Sequence, residues 1–195
     1  MTTASLLQCG FLVSLLKFCF LIVGGSQGAQ IFDELIKEIM IDISKSFQIK
    51  VIQQTSKKNI GNLKSFYDSN NVENIIFNFD EKLINLINSS DLCITRAGAT
   101  SLAEISTLNK PFIAIPLPTA TDDHQTKNAQ FYEEKGCCWL LDQRNLNKEK
   151  LLNNILNILK DKSDLIVEKS NLEKLNFENS WNDVNQKLQK IINEN

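Results

Sequence analysis

The chain has one histidine, no Cys-x-x-Cys pair and an odd number of cysteines, Cys9, Cys19, Cys93, Cys137 and Cys138. Structural zinc requires closely spaced thiolate and imidazole ligands, and a disulfide framework requires paired cysteines, so the sequence argues against both. The cysteines read instead as buried thiols of a reducing compartment. Basic residues are scattered and form no stripe; with 21 Lys and Arg against 23 Asp and Glu the net charge is −2. Nothing in that balance points to a nucleic-acid partner. No internal repeat and no long linker divides the chain.

What is present fits an ordinary globular protein. At 195 residues, with 43% hydrophobic and 23% charged residues, the chain suffices for one α/β domain with helical additions. The N-terminus is less regular. Leu6 to Val23 is almost continuously apolar, interrupted by Gln8, Gly10, Ser14 and Lys17. Its length approaches a membrane span, yet it lacks the positive start and the small-x-small cleavage site of a signal peptide. Phe18–Val23 reads better as a first buried strand, because a glycine-rich turn and a helix follow. Residues 1–16 are set apart as an atypical apolar segment, a replacement N-terminus or a truncation scar, from a domain spanning 17–195.

From Phe18 onward strands and helices alternate. Strands are predicted at Phe18–Val23, Ile49–Gln53, Ile75–Phe79, Leu92–Thr95, Pro111–Pro116 and Cys138–Leu141. Helices are predicted from the glycine turn to about Ser44, and at Lys57–Ser69, Glu81–Asn88, Thr100–Thr107 and Asp123–Lys135. This order implies right-handed βαβ units and a mostly parallel, doubly wound α/β sheet. Beyond Asn145, Leu151, Ile155 and Ile158 share one helical face and Trp181, Val184, Leu188 and Ile191 another; these helices are expected at the sheet edge.

Three turns fall at the carboxyl ends of the strands, where open α/β sheets bind ligands. Gly24-Gly25-Ser26-Gln27-Gly28-Ala29 lets the backbone approach a phosphate before a helix N-terminus. It is not the dinucleotide fingerprint, since its spacing differs and no acidic residue ends the second strand near Gln53 and Gln54. Around Gly98, a strand feeds a helix through small residues, leaving N–H groups for an anion, with Glu104 one turn on, in reach of a ribose hydroxyl. An ordinary βα turn with an exposed Glu fits that stretch equally well. Pro116 to Asn128 is the third. Asp122, Asp123 and His124 raise a metal site, which consecutive residues seldom build; a general base at His124; or a polar ligand contact, the preferred reading.

Taken together, Gly24–Ala29, then Arg96-Ala97-Gly98-Ala99 with Glu104, then Asp123-His124-Gln125 with Asn128-Ala129 resemble the C-terminal half of the MurG family, glycosyltransferase family 28. The likeness runs from about Phe18 to the C-terminus. Members transfer N-acetylglucosamine from UDP-GlcNAc to lipid I, giving the lipid II of peptidoglycan synthesis. The resemblance implies a Rossmann-like GT-B donor domain, a hexosyltransferase activity, no cofactor and no essential metal. It places UDP-GlcNAc against Arg96, Gly98, Ala99, Thr100, Ser101, Leu102 and Glu104, with Glu104 on the ribose. It further puts uracil near Asp80, the sugar or phosphates at His124, Gln125 and Asn128, and the diphosphate near Ser26 with Gly24, Gly25, Gln27 and Gly28. The family's acceptor domain, with its presumed base, has no counterpart in these residues, so the catalytic base is unassigned and lipid I is expected to bind through that absent domain. Peripheral association with the cytoplasmic face of the bacterial inner membrane is the implied location. The donor-binding subunit of the two-chain transferase of N-glycan assembly, a UDP-GlcNAc 2-epimerase and a non-catalytic nucleotide-sugar-binding module are the alternatives.

Overall fold

The apolar runs become the strands of one parallel sheet in a computed structural model that describes residues 17–24, 31–79, 83–178, 186, 189 and 190. The strands are β1 (Phe18–Val23), β2 (Ile49–Gln54), β3 (Glu73–Phe77), β4 (Leu92–Thr95), β5 (Phe112–Ala114) and β6 (Trp139–Leu140), in the order β3-β2-β1-β4-β5-β6. Every pairing is parallel. The chain first winds outward from β1 to β3 and then returns to β4 on the other side of β1. The β1–β4 boundary is therefore the switch point at which the loops leaving the two strands diverge and open a crevice.

Between the strands lie α1 (Lys37–Ser44, entered through a π-helical turn at Phe32–Ile36), α2 (Ile60–Ser69), α3 (Leu83–Asn88), α4 (Ala99–Thr107) and α5 (His124–Glu133). Two longer helices follow, α6 (Lys148–Lys160) and α7 (Ser163–Glu178). The side-chain period of two divides β1 between two cores. Phe18, Phe20 and Ile22 pack with Ile36, Ile39 and Ile43 on one face, whereas Cys19, Leu21 and Val23 pack with Leu102 and Ile105 on the other.

Three sequence expectations are corrected. Helices α6 and α7 cover the faces of the sheet, not its edge: Leu151, Ile155 and Ile158 join the first core and Leu172 and Leu175 the second. Strand β3 starts and ends two residues earlier than the apolar run suggested. An edge strand tolerates polar residues, and Glu73 there meets Lys17 and Lys50 while Asn78 bonds the Thr55 carbonyl and ends the ladder. Helix α2 begins at Ile60, after a turn through Lys57 to Asn59. The stripe of Trp181, Val184, Leu188 and Ile191 lies outside the described residues, as do residues 1–16. Phe18–Val23 is a fully buried central strand, and no described helix is long and apolar enough to cross a membrane.

Candidate functional site

The carboxyl ends of β1, β4 and β5 converge on the switch point. Strand β4 is apolar and buried along its length, ends at Thr95, and passes through Arg96, Ala97 and Gly98 into α4. Gly98 is extended (φ −66°, ψ 135°) and is the N-cap of the helix, so no side chain caps the first turn. The Leu102 N–H turns back to the Gly98 carbonyl at 3.0 Å, closing the first turn. The preceding N–H groups, of Ala99, Thr100 and Ser101, are thus directed off the end of the helix, where its dipole favours negative charge. Ala99 and Thr100 are exposed, and Ser101 and Glu104 half-buried. Among the described residues, no hydrogen bond or ion pair engages the Glu104 carboxylate.

The β5–α5 loop is held against this turn. Asn128 Nδ2 donates to the Ala97 carbonyl at 3.1 Å, and the Leu117 N–H donates to Gln125 Oε1 at 3.0 Å. The second bond orients the Gln125 carboxamide: its oxygen is engaged, and its NH2 group remains to donate to an acceptor. Asp122 and Asp123 both adopt left-handed backbone, φ 51° and 55°, a conformation that costs a non-glycine residue about 1–2 kcal/mol. His124 is exposed, with Nδ1 2.6 Å from the Thr121 carbonyl, so Nδ1 carries the hydrogen and Nε2 is the free ring nitrogen.

Two residues expected to touch a ligand have buried side chains. The Leu102 side chain is fully buried in the second core and supports α4. Arg96 is 6% exposed, and its Nη1 donates to the Ile115 carbonyl, the Pro116 carbonyl and Gln143 Oε1. Its guanidinium also stacks on Phe32, 4.8 Å from the ring centroid, just after the glycine turn. Burial lowers its pKa to about 10, which still leaves it cationic at neutral pH. Gly24 follows β1 directly and is buried. Gly25, Ser26, Gln27, Gly28 and Asp80 lie outside the described residues. No group of three or more His, Cys, Asp or Glu among the described residues is arranged to hold a metal.

Sequence reasoning missed a buried polar cluster around Asp33 and Gln53. Asp33 accepts from Gln53 Nε2, Thr55 Oγ1 and Asn59 Nδ2, and Gln53 Oε1 accepts from the Tyr67 hydroxyl. The alternation Ile49, Val51, Gln53 was the available signal, because it sets Gln53 on the inward face. A cavity of about 710 Å3 lined by Phe18, Asp91, Lys110, Lys162 and Ile166 is at the opposite, amino-terminal end of the strands and contains none of the motif residues.

Residues 19–186 match the glycosyltransferase family 28 C-terminal domain. The UDP-N-acetylglucosamine--N-acetylmuramyl-(pentapeptide) pyrophosphoryl-undecaprenol N-acetylglucosamine transferase of Pelagibacter ubique (strain HTCC1062) is 45% identical over 175 residues, covering 90% of this chain and 49% of that protein. The protein of the same name from Rickettsia massiliae (strain Mtu5) is 35% identical over 160 residues, 80% of this chain and 43% of its own length. The crystal structure of Acinetobacter baumannii MurG superposes with a TM-score of 0.72 at 26% identity, over 82% of this chain and 46% of that one. The chain spans about half the length of the relatives it matches.

Proposed function

The chain belongs to the glycosyltransferase family 28 C-terminal domain family, and from that membership we propose that it is the UDP-GlcNAc-binding half of an inverting transferase that converts lipid I to lipid II. The observation that carries this reading is the start of α4 at Gly98, with no side-chain cap, beside the Glu104 carboxylate, which no described residue engages, and the oriented Gln125 amide.

On this reading the α4 N–H groups face the diphosphate, and the glycine turn that follows β1 is its second contact. Glu104 accepts from the ribose hydroxyls, and uracil lies toward Asp80. The Gln125 NH2 group and His124 face the sugar or the phosphates. In the reaction the C4 hydroxyl oxygen of the muramyl acceptor bonds to the anomeric carbon of GlcNAc. The carbon–oxygen bond to the β-phosphate breaks, its electron pair leaves with UDP, and the hydroxyl proton passes to a base. Fixed N–H dipoles at a helix start lower the barrier because they need no reorganisation as charge develops on the departing UDP. The acceptor is lipid-linked, so the full reaction belongs at the cytoplasmic face of the membrane, with the protein peripheral to it. Its product feeds peptidoglycan synthesis.

Isothermal calorimetry of the 195-residue chain with UDP-GlcNAc, an ADP-sugar and a GDP-sugar tests the donor assignment. Selective binding of UDP-GlcNAc is expected. Equal affinity for the three, or none for UDP-GlcNAc, overturns it.

A further inference from the structure

Arg96 stands in the motif that suggested ligand binding; its Nη1 is committed to three acceptors of the protein, whereas its Nε is buried without a hydrogen-bond partner. Nη1 has two hydrogens and three acceptors around it: the Ile115 carbonyl at 3.1 Å, the Pro116 carbonyl at 3.2 Å and Gln143 Oε1 at 2.5 Å. The hydrogens are therefore shared, and the guanidinium ties three segments together: the end of β4, the exit of β5 and the turn at Gln143–Asn145. The residue after Pro116 is Leu117, whose N–H holds Gln125 Oε1. Asn128, one turn further along α5, returns to Ala97, the neighbour of Arg96. The result is a closed circuit from Arg96 through the β5 exit to Gln125 and back through Asn128, braced from outside by Gln143.

We propose that Arg96, backed by Gln143, is a positioning residue for the hexose of the donor: it sets the β5 exit so that the Gln125 NH2 group faces sugar acceptors. The inference rests on the donor-site reading and deepens it. A direct Arg96 contact to the diphosphate and a positioning role through Gln125 make different predictions. Loss of a diphosphate contact weakens UDP and UDP-GlcNAc alike. Loss of positioning removes only the extra affinity that the hexose adds to UDP.

The test is calorimetric titration of the 195-residue chain and two variants with UDP and with UDP-GlcNAc, folding being checked by thermal melting. Gln143→Ala removes one brace from a half-buried turn residue that carries no motif and leaves Arg96 its two backbone acceptors. Its UDP affinity is expected to stay within about twofold of the parent, while the preference for UDP-GlcNAc over UDP falls about three- to tenfold, the scale of one hydrogen bond. Arg96→Lys is expected to lose more of that preference, because an ammonium on a flexible stem cannot reproduce the planar guanidinium that bridges these acceptors. If Arg96→Lys fails to fold, Gln143→Ala carries the test alone. Equal weakening for both ligands, or a folded Gln143→Ala with its full preference, overturns the positioning role. A parent chain that does not prefer UDP-GlcNAc to UDP overturns the donor-site reading, and the inference with it; a parent preference that survives in Gln143→Ala overturns the inference alone.

Discussion

The side-chain amide of Asn128 donates to the carbonyl oxygen of Ala97 at 3.1 Å, joining helix α5 to the turn that opens α4. Ala97 is fully buried, so its carbonyl has little water to turn to if this donor is lost. Asn128→Ala is expected to lower stability by about 1–2 kcal/mol. It should also weaken UDP-GlcNAc binding, because helix α5 loses the side-chain bond that joins it to the turn opening α4. Urea melts and calorimetry on the same preparation check both effects. Unchanged stability would show that the bond does not form in solution.

Much of the fold could be read in the sequence, for a physical reason. A parallel sheet covered on both faces needs near-continuous apolar strands, and Phe18–Val23 and Leu92–Thr95 are such runs, bounded by turns. Strand β3 was harder, because an edge strand accepts Glu73 and Asn74 and loses the apolar signature. At the site, motif order located the α4 start but not the work of each side chain. Arg96 looks like a loop cation in sequence; its burial depends on carbonyls about twenty residues away and on Gln143, which belongs to no motif. Glu168 was legible in principle. The spacing Leu165, Glu168, Leu172, Leu175 sets it on the inward stripe of α7, where a carboxylate is unexpected.

Glu104 is the clearest test of the ribose assignment. No described partner engages its carboxylate, so Glu104→Ala should leave the melting temperature nearly unchanged. Loss of a charge-assisted bond to a ribose hydroxyl is expected to weaken UDP-GlcNAc binding by about 1.5–3 kcal/mol. Calorimetry on parent and variant measures the difference. Parental affinity in the variant would remove Glu104 from the site.

Glu168 makes stability depend on pH. Burial raises its pKa from 4.5 to about 9; the Phe112 N–H opposes that shift and Asp164 adds to it. Oε2 is buried without a partner, and the thiols of Cys137 and Cys138 lie in the same field. The folded state thus holds a proton that the unfolded state has released. Its contribution is complete below about 4.5 and is lost as pH rises toward about 9. Glu168→Gln, neutral at every pH, should match the parent near pH 5 and exceed it near pH 8 by roughly 1–3 kcal/mol. Urea melts at the two pH values decide it: a variant no more stable than the parent at the higher pH would mean that Glu168 is solvated in the folded protein.

Turnover by this polypeptide needs more than donor binding. Donor recognition has candidates in Glu104 and Gln125, and leaving-group stabilisation has one in the α4 start. An acceptor pocket and a positioned base have none among the described residues. His124 is the sole histidine of the chain, and in the proposed site it stands on the donor side, with Nδ1 bonded to Thr121. Holding both reactants in line is worth about 7–11 kcal/mol of barrier, and a site that holds only the donor forgoes it. The relatives are about twice as long as the segment matched here, which leaves ample chain in them for an acceptor site. The 195-residue chain is therefore expected to bind UDP-GlcNAc and to give no detectable transfer of radiolabelled GlcNAc to a lipid I analogue. Supplying the N-terminal half of the Pelagibacter relative as a separate chain should restore some turnover, provided the two halves associate. Robust transfer by the chain alone would place a base within these residues, and His124→Ala would then be the first variant to assay.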